Sequence, residues 1–262
     1  MSSSAWLSKA AEKLEQGNGL GEEQGPSNGN GQPVKVRADA TYPLLVDHEQ
    51  VIASEHFGVL RSRILTLQAK SGIHSLIITS AQKGEGKSLV SLNLALSLAQ
   101  LERHRILLVD GDLRVKGVSQ LLGLAEERGL SDFLRGKAAF ESCIHTTTLG
   151  YLSVTGAGTH AEECLPAILE GSKWPEFLER AKEVADLMIV DSVPVAAPIA
   201  DFELLSAPCD ATLLIVHLRK TAREALSLTL QQMDSKLIGV VVNNQEPRIG
   251  FDYYSYYYAK KK

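Results

Sequence analysis

SLIITSAQKGEGKSLVSLNLALSLAQ, residues 75–100, reads as an apolar strand, a glycine-bearing loop and a long apolar helix. Within it, Ala81-Gln-Lys-Gly84-Glu85-Gly86-Lys87-Ser88 follows the phosphate-loop pattern G-x-x-x-x-G-K-[ST], with Ala in place of the first Gly. The strand before and the helix after supply the context that this pattern requires. Backbone N–H groups of such a loop, with the N-terminus of the helix behind it, form a positive cradle for phosphate oxygens. Lys87 would neutralise charge on the outer phosphates, and the Ser88 hydroxyl would complete a magnesium shell. The expected ligands are ATP and Mg²⁺, with Gly84, Glu85, Gly86, Lys87 and Ser88 around the phosphates.

Outward from this stretch, strands and helices alternate. Apolar runs predict strands at Ser75–Thr79, Arg105–Val109, Tyr151–Thr155, Leu187–Val190, Ala211–His217 and Leu237–Val242. Helical spacing predicts helices over Glu49–Lys70, from Lys87 onward, and at Val118–Leu122, Leu130–Leu134, Glu162–Glu170, Trp174–Val184 and Arg223–Met233. Continuous runs such as Ile106-Leu-Leu-Val109 belong to parallel strands covered on both faces. The pattern predicts an α/β fold, a doubly wound and mostly parallel sheet flanked by helices. The domain spans 49–248. Before it, 1–48 reads as a flexible leader with a short docking helix at 5–15 and a Gly/Asn/Gln-rich tether at 17–32.

Composition sets bounds. The chain has 262 residues, 44% hydrophobic and 22% charged, enough for one sizeable core. A net charge of −4 argues against non-specific nucleic-acid binding, which needs a basic surface. Cys143, Cys164 and Cys209 form no C-x-x-C pair and read as small buried residues in a reducing compartment. No apolar run approaches the roughly 20 residues of a membrane span, so a cytoplasmic chain is expected.

Asp110, Asp112 and Asp191 fall at the C-terminal ends of expected parallel strands, the edge where open α/β sheets gather ligands. Phosphoryl transfer needs alignment, charge neutralisation and a carboxylate near the attacking hydroxyl, which these residues can supply. The second unusual stretch is the tail, 249–262. Five of the seven tyrosines, Tyr253, Tyr254, Tyr256, Tyr257 and Tyr258, crowd into it beside Lys260–Lys262. Adjacent phenols near a charged terminus make a poor core, and they read as accessible phosphate acceptors.

Together, Gly84-Glu-Gly-Lys87-Ser88, Ile106-Leu-Leu-Val-Asp110-x-Asp112-x-Arg114 and Leu187-Met-Ile-Val-Asp191-x-x-Pro194 resemble the three motifs of the bacterial tyrosine kinases, cytoplasmic autokinases of capsule and exopolysaccharide synthesis. Glu55-His-Phe-Gly-Val-Leu-Arg61, Gly239-Val-Val-Val-Asn243 and the tyrosine cluster extend the resemblance over roughly 50–262. The resemblance implies that Asp191 binds magnesium, that Asp110 is the general base and that Asp112 supports the metal shell. By analogy with related ATPases, Asn243 reads the adenine edge or is a turn residue. It also implies a homo-oligomer whose subunits feed tails into neighbouring sites, a separate transmembrane chain-length regulator (co-polymerase) as activator that recruits the chain to the inner face of the membrane, and a tyrosine phosphatase. The assembly motif E-x-x-R-x-x-R keeps Glu55 and Arg61 but has Gly58 for the first arginine. Two alternatives are a partitioning-type P-loop ATPase switch and a non-kinase nucleotide-gated scaffold. Gln82 stands where the partitioning class carries a second lysine.

Overall fold

The computed structural model describes residues 51–159, 165–196, 200–233 and 236–244, together with Pro33. The expected leader helix, the tether and the tyrosine tail lie outside the described residues. The chain opens with α1 (Val51–Ser71), β1 (Ser75–Ser80), α2 (Lys87–Ala99) and β2 (Ile106–Asp110). Next come α3 (Gly117–Leu122), α4 (Leu130–Leu134), a 3₁₀ turn at Phe140–Cys143, β3 (His145–Thr146) and β4 (Leu152–Thr155). The remainder is α5 (Leu165–Leu169), α6 (Lys173–Val184), β5 (Leu187–Asp191), α7 (Asp201–Ser206), β6 (Ala211–His217), α8 (Arg223–Gln232) and β7 (Leu237–Asn243).

The seven strands form one sheet in the order β3-β4-β2-β5-β1-β6-β7. Every pairing is parallel except β3 with β4. The expected doubly wound α/β architecture is the one observed. Strands β1, β2 and β5 are buried along their whole length, as sheets covered on both faces require. Two apolar layers do the covering. One contains α2 with Leu92, Leu94, Leu96 and Leu98, all fully buried. The other contains Trp174 and Phe177 of α6 with Phe133 and Phe140; the three phenylalanine rings meet edge-on and Trp174 stacks on Phe177. Truncating any one of these leucines to Ala is expected to cost about 2–5 kcal/mol.

Helix α2 is buried on every side from Val90 to Ala99, which explains why its apolar residues follow no single stripe. Helix α1 packs on it through Phe57, Leu60 and Ile64, and Arg61 Nη1 donates to Ser97 O at 2.8 Å and to Ser97 Oγ at 3.1 Å. Cys143 and Cys209 are buried, and burial pushes their thiols up to about 11 and about 12. Among the described residues, no helix is long and apolar enough to cross a membrane.

Three elements depart from the sequence reading. The antiparallel edge β3, the 3₁₀ turn and α7 were not anticipated; of the helix expected at 162–170, residues 162–164 lie outside the described residues. A two-residue strand carries no periodicity of its own. It exists because His145 and Thr146 pair with Val154 and Ser153 of β4.

Candidate active site

The C-terminal ends of β1, β2 and β5 meet at one sheet edge. Strand register pairs Asp110 with Asp191, and Ile78 of β1 with Asp191, so the acidic ends lie side by side next to the start of the phosphate loop. The loop itself turns through left-handed backbone at Gly84 (φ 79°) and Gly86 (φ 90°). A side chain at Gly86 would be strained there and would also collide with the Asn243 amide. Gly117 is needed for a different reason: a Cβ there would lie 2.5 Å from Ser88 Oγ.

Glu85 holds the loop from below. Its side chain is fully buried, with Oε2 accepting from Gln82 N at 3.0 Å and Oε1 accepting from the Thr221 hydroxyl. The Asn243 amide donates to Glu85 O at 2.9 Å, and Lys220 Nζ donates to Gly84 O at 2.9 Å. The loop is therefore clamped from the β6–α8 turn and from the end of β7. The Glu85 carboxylate faces the protein rather than a ligand, and the Asn243 amide is spent on the loop backbone.

A cavity of about 950 Å³ opens beside the loop, lined by Gln82–Gly84, Gly86–Leu89, Asp112, Arg114, Val115, Gly117, Val193, Pro194 and Asp201, among others. Lys87 Nζ contacts Asp112 Oδ2 at 2.9 Å, and Asp112 Oδ1 accepts from Val115 N at 3.1 Å. Asp191 Oδ1 accepts from Ser91 Oγ at 3.1 Å, and the Ser88 hydroxyl lies beside the same carboxylate. Asp110 does not line the cavity. Its Oδ2 accepts from Ser119 N at 2.8 Å and Ser119 Oγ at 2.7 Å, in full burial, so the residue expected as general base sits behind the wall.

Three carboxylates share this edge with one ammonium. Burial first, then the neighbouring Asp191 charge, pushes Asp110 up to about 7 against the two hydrogen bonds from Ser119. Burial likewise raises Asp191, to about 6, although Lys87 and Ser88 pull it back. Burial alone would lower Lys87, but Asp191, Asp112 and Asp110 outweigh it and raise its pKa. Asp110 Oδ1 is buried without a hydrogen bond among the described residues. A region with this excess of negative charge suits a divalent cation.

No group of three or more His, Cys, Asp or Glu side chains converges as a metal cage among the described residues. Magnesium does not ask for one: it is bound by one or two carboxylates together with phosphate oxygens and waters. Ser88 and Asp191 fit that requirement, and the loop fits the phosphates.

Sequence reasoning did not find Asp201, Lys220 or Thr221. Asp201 opens α7 and pairs with Arg114, Nε to Oδ2 at 3.0 Å. None of the three stands in a local pattern that announces it. The sequence signal nearest to any of them is Arg114, the last residue of the Asp110-x-Asp112-x-Arg114 run.

No protein-family model matches the chain. Individual proteins do. Tyrosine-protein kinase YwqD of Bacillus subtilis (strain 168) is 31% identical over 197 residues, covering 74% of this chain and 81% of the relative. Tyrosine-protein kinase CpsD of Streptococcus agalactiae is 30% identical over 195 residues, covering 72% and 82%. Among solved structures, the kinase domain of Escherichia coli tyrosine kinase ETK superposes with a TM-score of 0.73 at 27% identity, covering 83% of this chain and 86% of that one. MinD of Pyrococcus horikoshii, at 21% identity and a TM-score of 0.52, shares the fold alone. With 30% identity or more over more than two thirds of this chain and of each relative, the chain belongs to the bacterial tyrosine-protein kinases.

Proposed function

We propose that the chain is an ATP- and Mg²⁺-dependent autokinase that phosphorylates its own tail, at Tyr253, Tyr254, Tyr256, Tyr257 and Tyr258, within a capsule or exopolysaccharide system. The observation that carries this reading is the Lys87–Asp112 contact on the cavity wall, a cation and a carboxylate at the mouth of a phosphate loop. In the transfer, a tyrosine oxygen bonds to the γ-phosphorus of ATP, the bond to the ADP oxygen breaks, and the phenolic proton passes to a carboxylate. Asp112 is the member of the acidic trio that lines the cavity, and in this reading it takes the proton. Lys87 must leave Asp112 to reach a phosphate, so substrate binding frees the base. Asp110, with its raised pKa, backs Asp112 from inside the wall. Magnesium supplies charge neutralisation when bound, and Ser88 and Asp191 hold it.

The tyrosines stand at the end of the same chain, and several adjacent phenols cannot all enter one site at once. Exchange of tails between subunits of a homo-oligomer accommodates them, with Glu55 and Arg61 as assembly residues. A separate transmembrane co-polymerase would recruit the chain to the inner face of the membrane and activate it, and a tyrosine phosphatase would reset the tail. The test is direct. The purified chain with ATP, Mg²⁺ and the cytoplasmic segment of its co-polymerase is assayed by mass spectrometry for phosphate on 253–258. Absence of tail phosphate under those conditions refutes the proposal.

A further inference from the structure

Arg114 lines the same cavity as Lys87 but comes from the segment after β2 rather than from the phosphate loop. It follows β2, which is separated from the phosphate-loop strand β1 by β5. Its Nε donates to Asp201 Oδ2 at 3.0 Å; the Arg114 side chain is 42% exposed and that of Asp201 2%. No further hydrogen bond or ion pair joins Arg114 to a described residue. Asp201 Oδ1 is buried without a hydrogen bond among the described residues.

Stability does not account for this pair. A half-exposed ion pair contributes little, and a buried carboxylate with an unsatisfied oxygen is a cost. What the pair achieves is orientation. Asp201 uses one of the five guanidinium donors and fixes the plane of the group, leaving the terminal fork for a ligand with two anionic oxygens. The phosphate cradle already has its own cation in Lys87. The lining of the cavity also includes the apolar side chains Val115, Leu121, Val193 and Pro194, which suit an aromatic ring. The tail offers a matching ligand: Asp252 immediately precedes Tyr253 and is the sole acidic residue of 249–262.

We propose that Arg114, held in orientation by Asp201, is the acceptor anchor of this kinase and binds the Asp252 carboxylate, so that Tyr253 is presented first against these apolar side chains. This rests on the autokinase reading above and specifies which acceptor it favours. Asp201 acts through Arg114 and is a positioning residue.

The experiment uses full-length chain as enzyme and full-length Lys87→Met chain as acceptor, with ATP, Mg²⁺ and the co-polymerase segment. Initial rates at each tyrosine are read by mass spectrometry. An acceptor that also carries Asp252→Asn should lose about tenfold in Tyr253 labelling through a higher KM, the scale of one charge-assisted contact, while Tyr256–Tyr258 change less than about twofold. Arg114→Gln in the enzyme should produce the same loss, and no further loss with the Asp252→Asn acceptor. Asp201→Ala should match Arg114→Gln, and Asp201→Asn, which keeps an acceptor for Nε, should restore the preference. The affinity of Arg114→Gln for a fluorescent ATP analogue should stay within about twofold of wild type.

Equal loss at every tyrosine with both acceptors, or loss of nucleotide affinity, would assign Arg114 to phosphate and overturn the anchor. Labelling indifferent to Asp252 overturns the anchor and leaves the kinase reading standing. No labelling of either acceptor overturns the kinase reading and the anchor with it.

Discussion

Lys87 Nζ lies 2.9 Å from Asp112 Oδ2, which ties the loop after β1 to the loop after β2 across the intervening β5. Both side chains are largely withdrawn from water, 12% and 2% exposed. Lys87→Met removes the ammonium that faces three carboxylates. Tail labelling should fall at least about 100-fold, the usual scale for losing a preorganised charge in a transfer site. The fold should persist by far-UV circular dichroism, with a lower Tm because Asp112 loses its buried counter-charge. Undiminished labelling would mean that a contaminating kinase does the work.

Asp110 makes a pH prediction. Its folded-state pKa, about 7, lies above the ordinary 3.8, so between these values the native chain holds the proton that the unfolded chain has released. Stability therefore falls as pH rises through that window, and the full penalty is present above it. Asp191 adds to the same trend between 3.8 and about 6. Asp110→Asn keeps an acceptor for Ser119 and removes the buried charge. It should raise Tm at pH 8 by roughly 3 °C or more and change it little at pH 4, while kinase activity is lost. Calorimetry at the two pH values checks this; a variant that is less stable at pH 8 contradicts it.

Thr221 makes a kinetic prediction. Its hydroxyl accepts from His217 N at 3.0 Å and donates to buried Glu85, which in turn fixes Gln82 N. Thr221→Val leaves Glu85 without that donor. The KM for ATP should rise about tenfold with kcat within about threefold, since one hydrogen bond to a charged group is at stake. Thr221→Ser should recover both values. Steady-state kinetics on the three proteins decides the matter; a fall in kcat alone would place Thr221 outside nucleotide grip.

Arg61 offers a fourth. Expected on the assembly face, it spends Nη1 on Ser97 within its own chain, and burial lowers its pKa. Arg61→Ala should lower Tm by roughly 2–6 °C in dilute monomer. An unchanged Tm would show that the Ser97 contact adds nothing within the monomer and leave Arg61 to the subunit contact alone.

Much of this was legible in the residues themselves. The run from Ser75 to Gln100 carried strand, loop and helix, because fully buried parallel strands and an all-round buried helix leave uninterrupted apolar sequence. Asp110, Asp112 and Asp191 were found because each ends such a run. What escaped was long-range polar chemistry. Thr221 and Lys220 reach the phosphate loop across 136 positions, and Asp201 meets Arg114 across 87, with no local pattern to mark them. The burial of Asp110 escaped for a related reason: the apolar run of β2 says which strand it ends but not that Ser119 closes over it.

Asn243 closes β7, the edge strand of the sheet, and its amide grips Glu85 O inside the phosphate loop. The tyrosines begin ten positions further along the same chain. The end of β7 is itself held to the end of β6, with Leu218 N donating to Asn243 O at 3.0 Å, so the edge strand works as a strut: a substitution that loosens it is expected to slacken the phosphate loop from a distance.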